Sequence, residues 1–345
     1  MKVEKISSSP NPSFYRGEIA FVMITLGEIP EVWFKNIYPH ISHLRDYFYI
    51  FVYPEMRFHP DYKLLQHFNL QPVKDKEVWR SWLKNQLEHH KLNVFLVDEI
   101  QYSQFAAFID ALGLLGVEAG VFVHDDVYIP PAYLEGLDKA FEEGCFDKYF
   151  MICSNMVEPY GVVPYQNETP FKDPYERIEL PDHLADERLK TPEGYYIYAA
   201  ACYVETFAKK DWREIVVREE HFLDYFDVKL FNEYADYVYN YFTSNKLHKR
   251  GVFMHLDGGH VINRYYLESL RKYYDYLPTH TETFLIHVAH AFKWRYATLP
   301  YLSHAHIYRP SRIFSVRRVN MDYFVGKQVQ GMFPQVLRDP EVRKL

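Results

Sequence analysis

The sequence predicts an α/β protein in which a mostly parallel central sheet is flanked by helices. Apolar runs of strand length recur through the first 130 residues, and stretches with helical periodicity separate them. The apolar runs are continuous rather than alternating, as expected for strands that are buried on both faces. Since strands alternate with helices in this part of the chain, the pattern favours a parallel, doubly wound sheet.

Four strands are predicted in the first 130 residues, at 18–25, 47–53, 92–97 and 120–123. Helices are predicted between them from Pro30 onward, near 61–69, at 75–90 and at 104–115. Proline is tolerated in the first turn of a helix, so Pro30 marks a helix start, and Ser103 can cap the helix that follows it. Ligands bind beyond the carboxyl ends of the strands in such sheets. The residues that follow each strand are therefore the first candidates for a site.

The region from 148 to 264 has a more mixed pattern. Strands are predicted at 148–154, 195–204 and 251–256, a Pro- and charge-rich surface loop at 165–193, and an acidic helix at 219–241. From 265 onward the pattern becomes helical, and it ends in a basic, irregular tail that contains Arg309, Arg312, Arg317 and Arg318. A boundary is therefore placed near 265.

The composition is that of a globular protein and disfavours nucleic acid as a partner. Of the 345 residues 48% are hydrophobic and 25% are charged, and the formal net charge is −7, whereas proteins that bind phosphate backbones usually carry a basic excess. Duplex DNA is therefore expected to bind only weakly at physiological salt. The aromatic content of 18% offers flat, amphipathic surfaces for sugars or bases, although most of these residues are expected to belong to a tyrosine-rich core and surface.

The sequence predicts a soluble, cytoplasmic protein. The first 12 residues are polar and lack the apolar segment of a signal peptide, and no uninterrupted apolar run approaches the roughly 18 residues of a membrane span. Three cysteines, Cys145, Cys153 and Cys202, show neither a disulfide framework nor zinc-site spacing. This pattern is typical of a reducing compartment.

The clearest candidate for a site is the segment VFVHDDVYIP at 121–130. It places His124, Asp125 and Asp126 at the end of a predicted buried strand, before apolar residues resume. Two adjacent carboxylates at such a position repel each other and lose hydration unless a cation or hydrogen-bond donors satisfy them. Mg²⁺ and Mn²⁺ prefer oxygen ligands and commonly bind one or two carboxylates together with substrate phosphates. A plain turn, in which Asp is common, is the alternative.

This segment resembles the metal-binding DxD signature of GT-A glycosyltransferases, and most closely a family-2-like variant with the pattern H-x-D-V, here His124, Asp125, Asp126 and Val127. The resemblance implies Asp126 as a ligand of Mn²⁺ or Mg²⁺ and assigns His124 and Asp125 to the bound nucleotide. Because His124 replaces the first acid of the signature, it is left open whether this residue contacts the metal, the ribose or neither.

The resemblance also implies the domain organisation. A GT-A domain is expected over 18–264, with a nucleotide-binding half at 18–130 and an acceptor half at 131–264. A flexible N-terminal tail at 1–17 precedes it, and a helical C-terminal extension with the basic tail follows at 265–345.

Further site residues are implied at the ends of other strands. Residues after the early strands hold the nucleoside in the family, which points to Thr25, Glu55 and Asp98. The strand predicted at 251–256 is followed by Asp257-Gly258-Gly259-His260, and the resemblance implies His260 as a second metal ligand. Polar residues at strand ends are also common as exposed or capping residues, which is the alternative for the first three.

Family-2 enzymes carry the catalytic base on an acidic helix well after the metal motif, and the segment 226–242 occupies that place. Glu233 and Asp236 are three residues apart and share a face of a helix. Tyr234 breaks the family's pattern, so Asp227 is a further candidate, and a solvated acidic face is the alternative for at least two of these three carboxylates. A buried stripe is predicted from helical spacing: Phe226, Leu230, Tyr234 and Tyr237. This stripe adjoins Glu233, which therefore is the preferred base, with a smaller role for Asp236.

The implied function is transfer of a sugar from a UDP- or GDP-sugar to the hydroxyl of a glycan or other acceptor, with inversion at the anomeric carbon. Two other interpretations stay open. One is a non-catalytic nucleotide- or carbohydrate-binding module with the same fold, and the other is a nucleotidyltransferase, whose sheet also gathers acids at strand ends. Release of a nucleoside diphosphate, release of pyrophosphate, or binding without turnover distinguishes the three.

Overall fold

The computed structural model describes residues 3–6, 13–25, 38–53, 76–88, 91–98, 104–124, 127–157, 228–244, 260–264 and 294–306. The strands within these ranges are β1 (Val3–Lys5), β2 (Ile19–Thr25), β3 (Phe48–Val52), β4 (Asn93–Val97), β5 (Ala119–Val123), β6 (Val127–Tyr128), β7 (Met151–Val157), β8 (His260–Asn263) and β9 (Tyr296–His306). The helices within them are α1 (Lys76–Glu88), α2 (Gln104–Leu115), α3 (Ala132–Glu142), α4 (Cys145–Lys148) and α5 (Val228–Ser244). Two single-turn 3₁₀ helices, Tyr38–His40 and Arg45–Tyr47, precede β3.

The strands of the described chain form one sheet in the order β1-β4-β3-β2-β5-β8-β7-β9-β6. The four adjacent strands β4, β3, β2 and β5 are parallel. β8 runs antiparallel between β5 and β7, and β9 is parallel to β7. β1 and β6 lie at the two edges as antiparallel strands. The predicted α/β class, in which helices flank a central sheet built on parallel strands, is confirmed.

Both faces of the sheet are covered, which explains why its strands are continuous apolar runs. Every residue of β2 is buried, and alternate side chains pack into two separate hydrophobic clusters: Ile19, Phe21 and Met23 into one, and Ala20, Val22 and Ile24 into the other. The first cluster includes residues of α1, α3 and α5, whereas the second includes residues of α2. A strand whose two sets of side chains are both buried has no polar face to alternate with.

The elements predicted in the first half of the chain agree with the structure to within a few residues. The strands predicted at 18–25, 47–53, 92–97 and 120–123 are β2, β3, β4 and β5, and the helices predicted at 75–90 and 104–115 are α1 and α2. In the second half, β7 and α5 match the strand predicted at 148–154 and the acidic helix. The remaining predicted elements lie outside the described residues. They are the helices after Pro30 and near 61–69, the loop at 165–193, the strands at 195–204 and 251–256, and the basic tail.

Two segments differ from their predicted character. Within the N-terminal region expected to be flexible, β1 pairs with β4 at the edge of the sheet. Within the region expected to be a helical extension, β9 pairs with β7 through residues 296–299 and again through residues 303–305. The register of this pair shifts between Ser154 and Asn155, so the pairing skips residues 300–302 of β9. Pro300 is among them, and a proline inside a run argues against a strand when only the sequence is read.

No helix of the described part of the chain has the length and apolar character needed to cross a bilayer.

Gly136 of α3 is predicted to be a position where any side chain destabilises the fold. A Cβ atom there would lie 2.6 Å from Cδ2 of Leu302 and 2.9 Å from the carbonyl oxygen of Tyr301, both in β9. Because one of these atoms belongs to the backbone of β9 and cannot move aside as a flexible side chain can, Gly136→Ala is expected to lower the free energy of unfolding by about 1–3 kcal/mol. Denaturant unfolding measures the change.

Gly113 of α2 is the matched control for this substitution, because a Cβ atom there meets nothing within 4 Å. Alanine forms helices better than glycine, so Gly113→Ala is expected to be neutral or to stabilise by up to about 1 kcal/mol. Equal effects of the two substitutions would contradict the close approach of α3 to β9.

Candidate functional site

The carboxyl ends of the four parallel strands meet at one edge of the sheet. β2 ends in Thr25, while Asp98 follows β4 and His124 follows β5. The Thr25 residue is buried, His124 is half-buried and Asp98 is exposed. The Tyr53 N–H, directly after β3, donates to the Thr25 carbonyl at 2.8 Å and keeps β2 and β3 together up to this edge.

The register of the strands fixes how these residues are arranged along the edge. Val52 of β3 is paired with Thr25 of β2 and with Leu96 of β4, so Asp98 extends two residues beyond the level of Thr25. β3 and β2 separate β4 from β5, and neighbouring strands lie about 4.8 Å apart, so Asp98 and His124 lie on strands roughly 14 Å apart. Asp98 and His124 therefore mark the two ends of one row along this edge, and only an extended ligand can reach both ends of the row.

The segment that follows β5 forms a turn. The Val127 N–H donates to the His124 carbonyl at 3.2 Å, which closes the four-residue turn 124–127. Its central residues, Asp125 and Asp126, lie outside the described residues, but both flanks are fixed because Val123 and Val127 are buried. The His124 ring contacts the Phe122 ring edge-on, with centroids 4.8 Å apart. The predicted metal motif thus falls in the connection between β5 and β6, and His124, its first residue, lies at the carboxyl edge.

His260 begins β8 beside this turn. β8 is antiparallel to β5, and His260 is paired with Phe122, two residues before His124. The start of an antiparallel strand lies at the edge where its neighbour ends. The backbone of His260 therefore lies beside the end of β5. Two other predicted site residues, Glu55 and Asp227, fall outside the described residues.

Helix α5 is tied to the strand that leaves the turn. The Tyr128 hydroxyl of β6 donates to Oδ1 of Asn232 at 2.9 Å, across 104 residues of sequence. The rings of Tyr128 and Phe231 meet edge-on, with centroids 6.0 Å apart. Burial raises the pKa of Tyr128 to about 12; the hydrogen bond to Asn232 acts in the opposite direction, and the nearby Asp236 carboxylate raises the pKa further. The Tyr128 hydroxyl is consequently a hydrogen-bond donor throughout the physiological range.

The two predicted base residues lie about 60° apart on the exposed side of α5. A helix turns by about 100° per residue, so Glu233 and Asp236 lie roughly 160° and 140° around the axis from the buried Phe231, and Asp236 lies one turn after Asn232, near Tyr128. Glu233 is exposed and lies 3.9 Å from the Nζ atom of Lys229, a surface ion pair of little energetic weight. Asp236 is also exposed, but partial desolvation, and then the Glu233 carboxylate, raise its pKa.

The buried stripe of α5 also differs from the predicted one. The buried residues are Phe231, Tyr234, Ala235, Val238 and Phe242, so the prediction is confirmed at Tyr234 but Tyr237 is only half-buried. Phe226 and the side chain of Leu230 lie outside what the structure describes. Aromatic residues occupy both faces of this helix, and the sequence therefore offers two stripes of similar spacing.

The donors that the structure brings to this edge are a hydroxyl, a carboxylate and an imidazole, supplied by Thr25, Asp98 and His124. This set suits nucleoside hydroxyls and hard cations. Among the residues that the structure describes, no group of three His, Cys, Asp or Glu side chains is placed to hold a metal ion; Asp125 and Asp126 are not among these residues.

Two residues that the sequence analysis did not single out link the site to the rest of the fold. Tyr128, two residues after Asp126, anchors α5 through Asn232. His43, in the turn before β3, contacts the carbonyl oxygen of Ile129 through Nε2 at 3.0 Å. The position of Tyr128 next to the motif was the only sequence signal, and nothing in the sequence indicates the partner of His43.

His43 is predicted to make stability fall on mild acidification. Burial, the largest cause, lowers the pKa of His43 from its ordinary 6.5, against smaller opposing effects of its hydrogen bonds. Below pH 6.5 the unfolded chain therefore takes up a proton that the folded chain does not, and the free energy of unfolding falls as pH falls. His43→Gln, which can still donate to the Ile129 carbonyl, should lose this part of the dependence between pH 7 and pH 5. Parallel pH profiles of the two proteins would contradict the assignment.

No protein-family model matches the sequence, and no curated protein matches it. Several solved structures resemble the chain, including the following three. The first is TarS 1-349 of S. aureus, with a TM-score of 0.38 and 10% identity over 88% of this chain and 64% of that chain. The second is S. aureus TarS 1-349 in complex with UDP-GlcNAc, with a TM-score of 0.28 and 12% identity over 44% of this chain and 37% of that chain. The third is mannose-6-phosphate isomerase from Helicobacter pylori, with a TM-score of 0.25 and 12% identity over 41% of this chain and 51% of that chain. The chain thus spans less than two thirds of the TarS chain, and at these scores we take no residue role from the three structures.

Proposed function

We propose that this chain is a metal-dependent glycosyltransferase that moves a sugar from a nucleoside-diphosphate sugar to an acceptor hydroxyl, with inversion at the anomeric carbon. One observation carries the proposal. The hydrogen bond between Tyr128 and Asn232 holds the acidic helix α5 against the strand that leaves the His124–Val127 turn. A carboxylate that can act as a base is thereby brought towards the carboxyl edge of a parallel sheet, where ligands bind in this class of fold.

In the proposed complex the nucleoside lies along the edge formed by β4, β3 and β2, against Thr25, Glu55 and Asp98. His124 and Asp125 lie next to it, nearer the diphosphate. The separation of about 14 Å between the β4 and β5 strand ends suits an extended ligand of this kind better than a compact one. Asp126 and His260 are proposed to hold Mn²⁺ or Mg²⁺, and a metal in that position neutralises charge that develops on the leaving diphosphate.

Asp236 is proposed as the general base, in preference to Glu233. The acceptor oxygen forms a bond to the anomeric carbon while the bond from that carbon to the diphosphate oxygen breaks, and Asp236 takes the hydroxyl proton. A single displacement of this kind inverts the anomeric centre. Two observations support the choice: Asp236 lies on the Tyr128 side of α5, and its raised pKa makes it a better proton acceptor than an ordinary aspartate.

The test is product analysis with candidate donors. The protein is incubated with Mn²⁺ and with UDP-GlcNAc, UDP-glucose or GDP-mannose, with and without EDTA, and released nucleotides are separated by chromatography. UDP-GlcNAc is included because it is the ligand named for one TarS structure. Release of a nucleoside diphosphate that EDTA abolishes supports the proposal. Pyrophosphate release would instead indicate a nucleotidyltransferase, and donor binding without turnover would indicate a binding module.

A further inference from the structure

A row of four side chains runs along α5 at four-residue spacing: Lys229, Glu233, Tyr237 and Tyr241. Residues four apart in a helix lie one above the other, so the row extends about 18 Å along the helix. The rings of Tyr237 and Tyr241 are stacked, with centroids 6.3 Å apart and planes 24° apart. Both tyrosines are half-buried and pack against the first hydrophobic cluster, which holds the rings in place.

The charged end of the row is open to solvent. The side chains of Lys229 and Glu233 are 87% and 44% exposed, and their ion pair of 3.9 Å is long. Exposed pairs of this kind contribute little to stability, so replacing the ion pair with contacts to a ligand costs little. The row therefore combines fixed aromatic rings with an ammonium donor and a carboxylate acceptor that are both accessible.

This combination matches one class of ligand. A saccharide presents apolar C–H patches beside closely spaced hydroxyl groups, and tyrosine rings with neighbouring polar side chains satisfy both. A nucleic acid is disfavoured because Glu233 and Asp236 would repel its phosphates. A protein partner is disfavoured because two half-buried rings are far smaller than the apolar patches that mark protein interfaces.

We propose that the row of Lys229, Glu233, Tyr237 and Tyr241 is a binding surface for an oligosaccharide. The length of the row exceeds a single sugar ring, which favours a chain over a monosaccharide. Asp236 lies one turn after Glu233 of the row, about 60° around the helix from it, so a saccharide on this surface lies beside the proposed base. Its assignment as the acceptor of the reaction rests on the proposed function, whereas the binding itself does not.

The experiment compares tyrosine substitutions on the two sides of α5. Tyr237→Leu and Tyr241→Leu keep apolar volume for core packing but remove the rings. Tyr239→Leu is the matched control, because Tyr239 is half-buried in the same helix but faces α3: after burial, the α3 carboxylates of Glu135, Glu142 and Asp138 raise its pKa. The probes are N-acetylglucosamine, glucose and mannose tetrasaccharides, tested by saturation-transfer NMR and calorimetric titration.

At least one tetrasaccharide is expected to bind the unaltered protein, and each of the first two substitutions is expected to weaken it roughly tenfold. Tyr239→Leu should leave the affinity unchanged, and thermal unfolding checks that all three variants are folded. The inference is overturned if no tetrasaccharide binds or if Tyr239→Leu weakens binding as much as the other two. If the protein binds a saccharide but never releases a nucleoside diphosphate, the binding surface is supported and the proposed transferase activity is contradicted. The failure of one proposal can thus be told from the failure of the other.

Discussion

Asp126→Asn is expected to weaken Mn²⁺-dependent binding of nucleoside diphosphates by about 100-fold or more while the fold is retained. The substitution removes the negative charge that the proposed metal site requires, and a metal contributes several kcal/mol to binding a charged diphosphate. The turn itself should persist, because the hydrogen bond that closes it joins the backbones of Val127 and His124. Isothermal titration with UDP and GDP, each with Mn²⁺ and with EDTA, measures the loss.

Asp147→Asn is the control for this prediction. Asp147 is an exposed aspartate of α4, immediately before β7. β7 pairs with the later residues of β8, so it starts at the edge of the sheet opposite to the turn. Asp147→Asn changes the net charge of the protein by the same amount as Asp126→Asn does, and it leaves the proposed site unaltered. If both variants bind alike, or if Asp126→Asn binds as tightly as the unaltered protein, the metal assignment is wrong.

The first half of the fold could be predicted from the sequence because of how its strands are buried. β2, β3 and β5 are covered on both faces. Each is therefore a short, continuous apolar run, which is the pattern of a strand buried on both faces. Parallel pairing then places Thr25, Asp98 and His124 at one edge without further information, since parallel strands end on the same side. Local sequence and topology together were sufficient for this part of the candidate site.

The second half could not be predicted in the same way, since its contacts join distant parts of the chain. β9 contains Pro300, and only the register shift against β7 lets that residue be accommodated in a strand. The Tyr128–Asn232 hydrogen bond spans 104 residues, and neither residue belongs to a sequence motif. The face of α5 that is buried depends on α3 and β9. Of the two stripe residues whose side chains the structure describes, helical periodicity alone was right at Tyr234 and wrong at Tyr237.

The position of Asp236 near Tyr128 is the reason why it is proposed ahead of Glu233. From periodicity alone, Glu233 adjoins the predicted buried stripe and is the preferred base. In the structure both carboxylates lie on the exposed side of α5; Glu233 is paired with Lys229, whereas Asp236 is close enough to Tyr128 to raise the pKa of the Tyr128 hydroxyl. A base must lie within hydrogen-bond reach of the hydroxyl that it deprotonates, and the side of α5 that faces β6 satisfies this condition for a ligand at the carboxyl edge.

Asp236→Asn is therefore expected to lower kcat for sugar transfer by roughly 10²–10⁴-fold, the range typical of a lost general base, while the donor Kd stays nearly constant because donor binding belongs to the strand ends and the metal. Glu233→Gln serves as the matched control on the same helix, and its kcat should fall by less than about tenfold. Since Asn is isosteric with Asp, the Tyr128–Asn232 hydrogen bond should persist in the Asp236 variant, and denaturant unfolding verifies this.

Both constants, kcat and the donor Kd, are measured with the donor that passes the product test and the tetrasaccharide that binds α5. A larger loss in Glu233→Gln than in Asp236→Asn would restore Glu233 as the base, and near-normal turnover in both would move that role to Asp227.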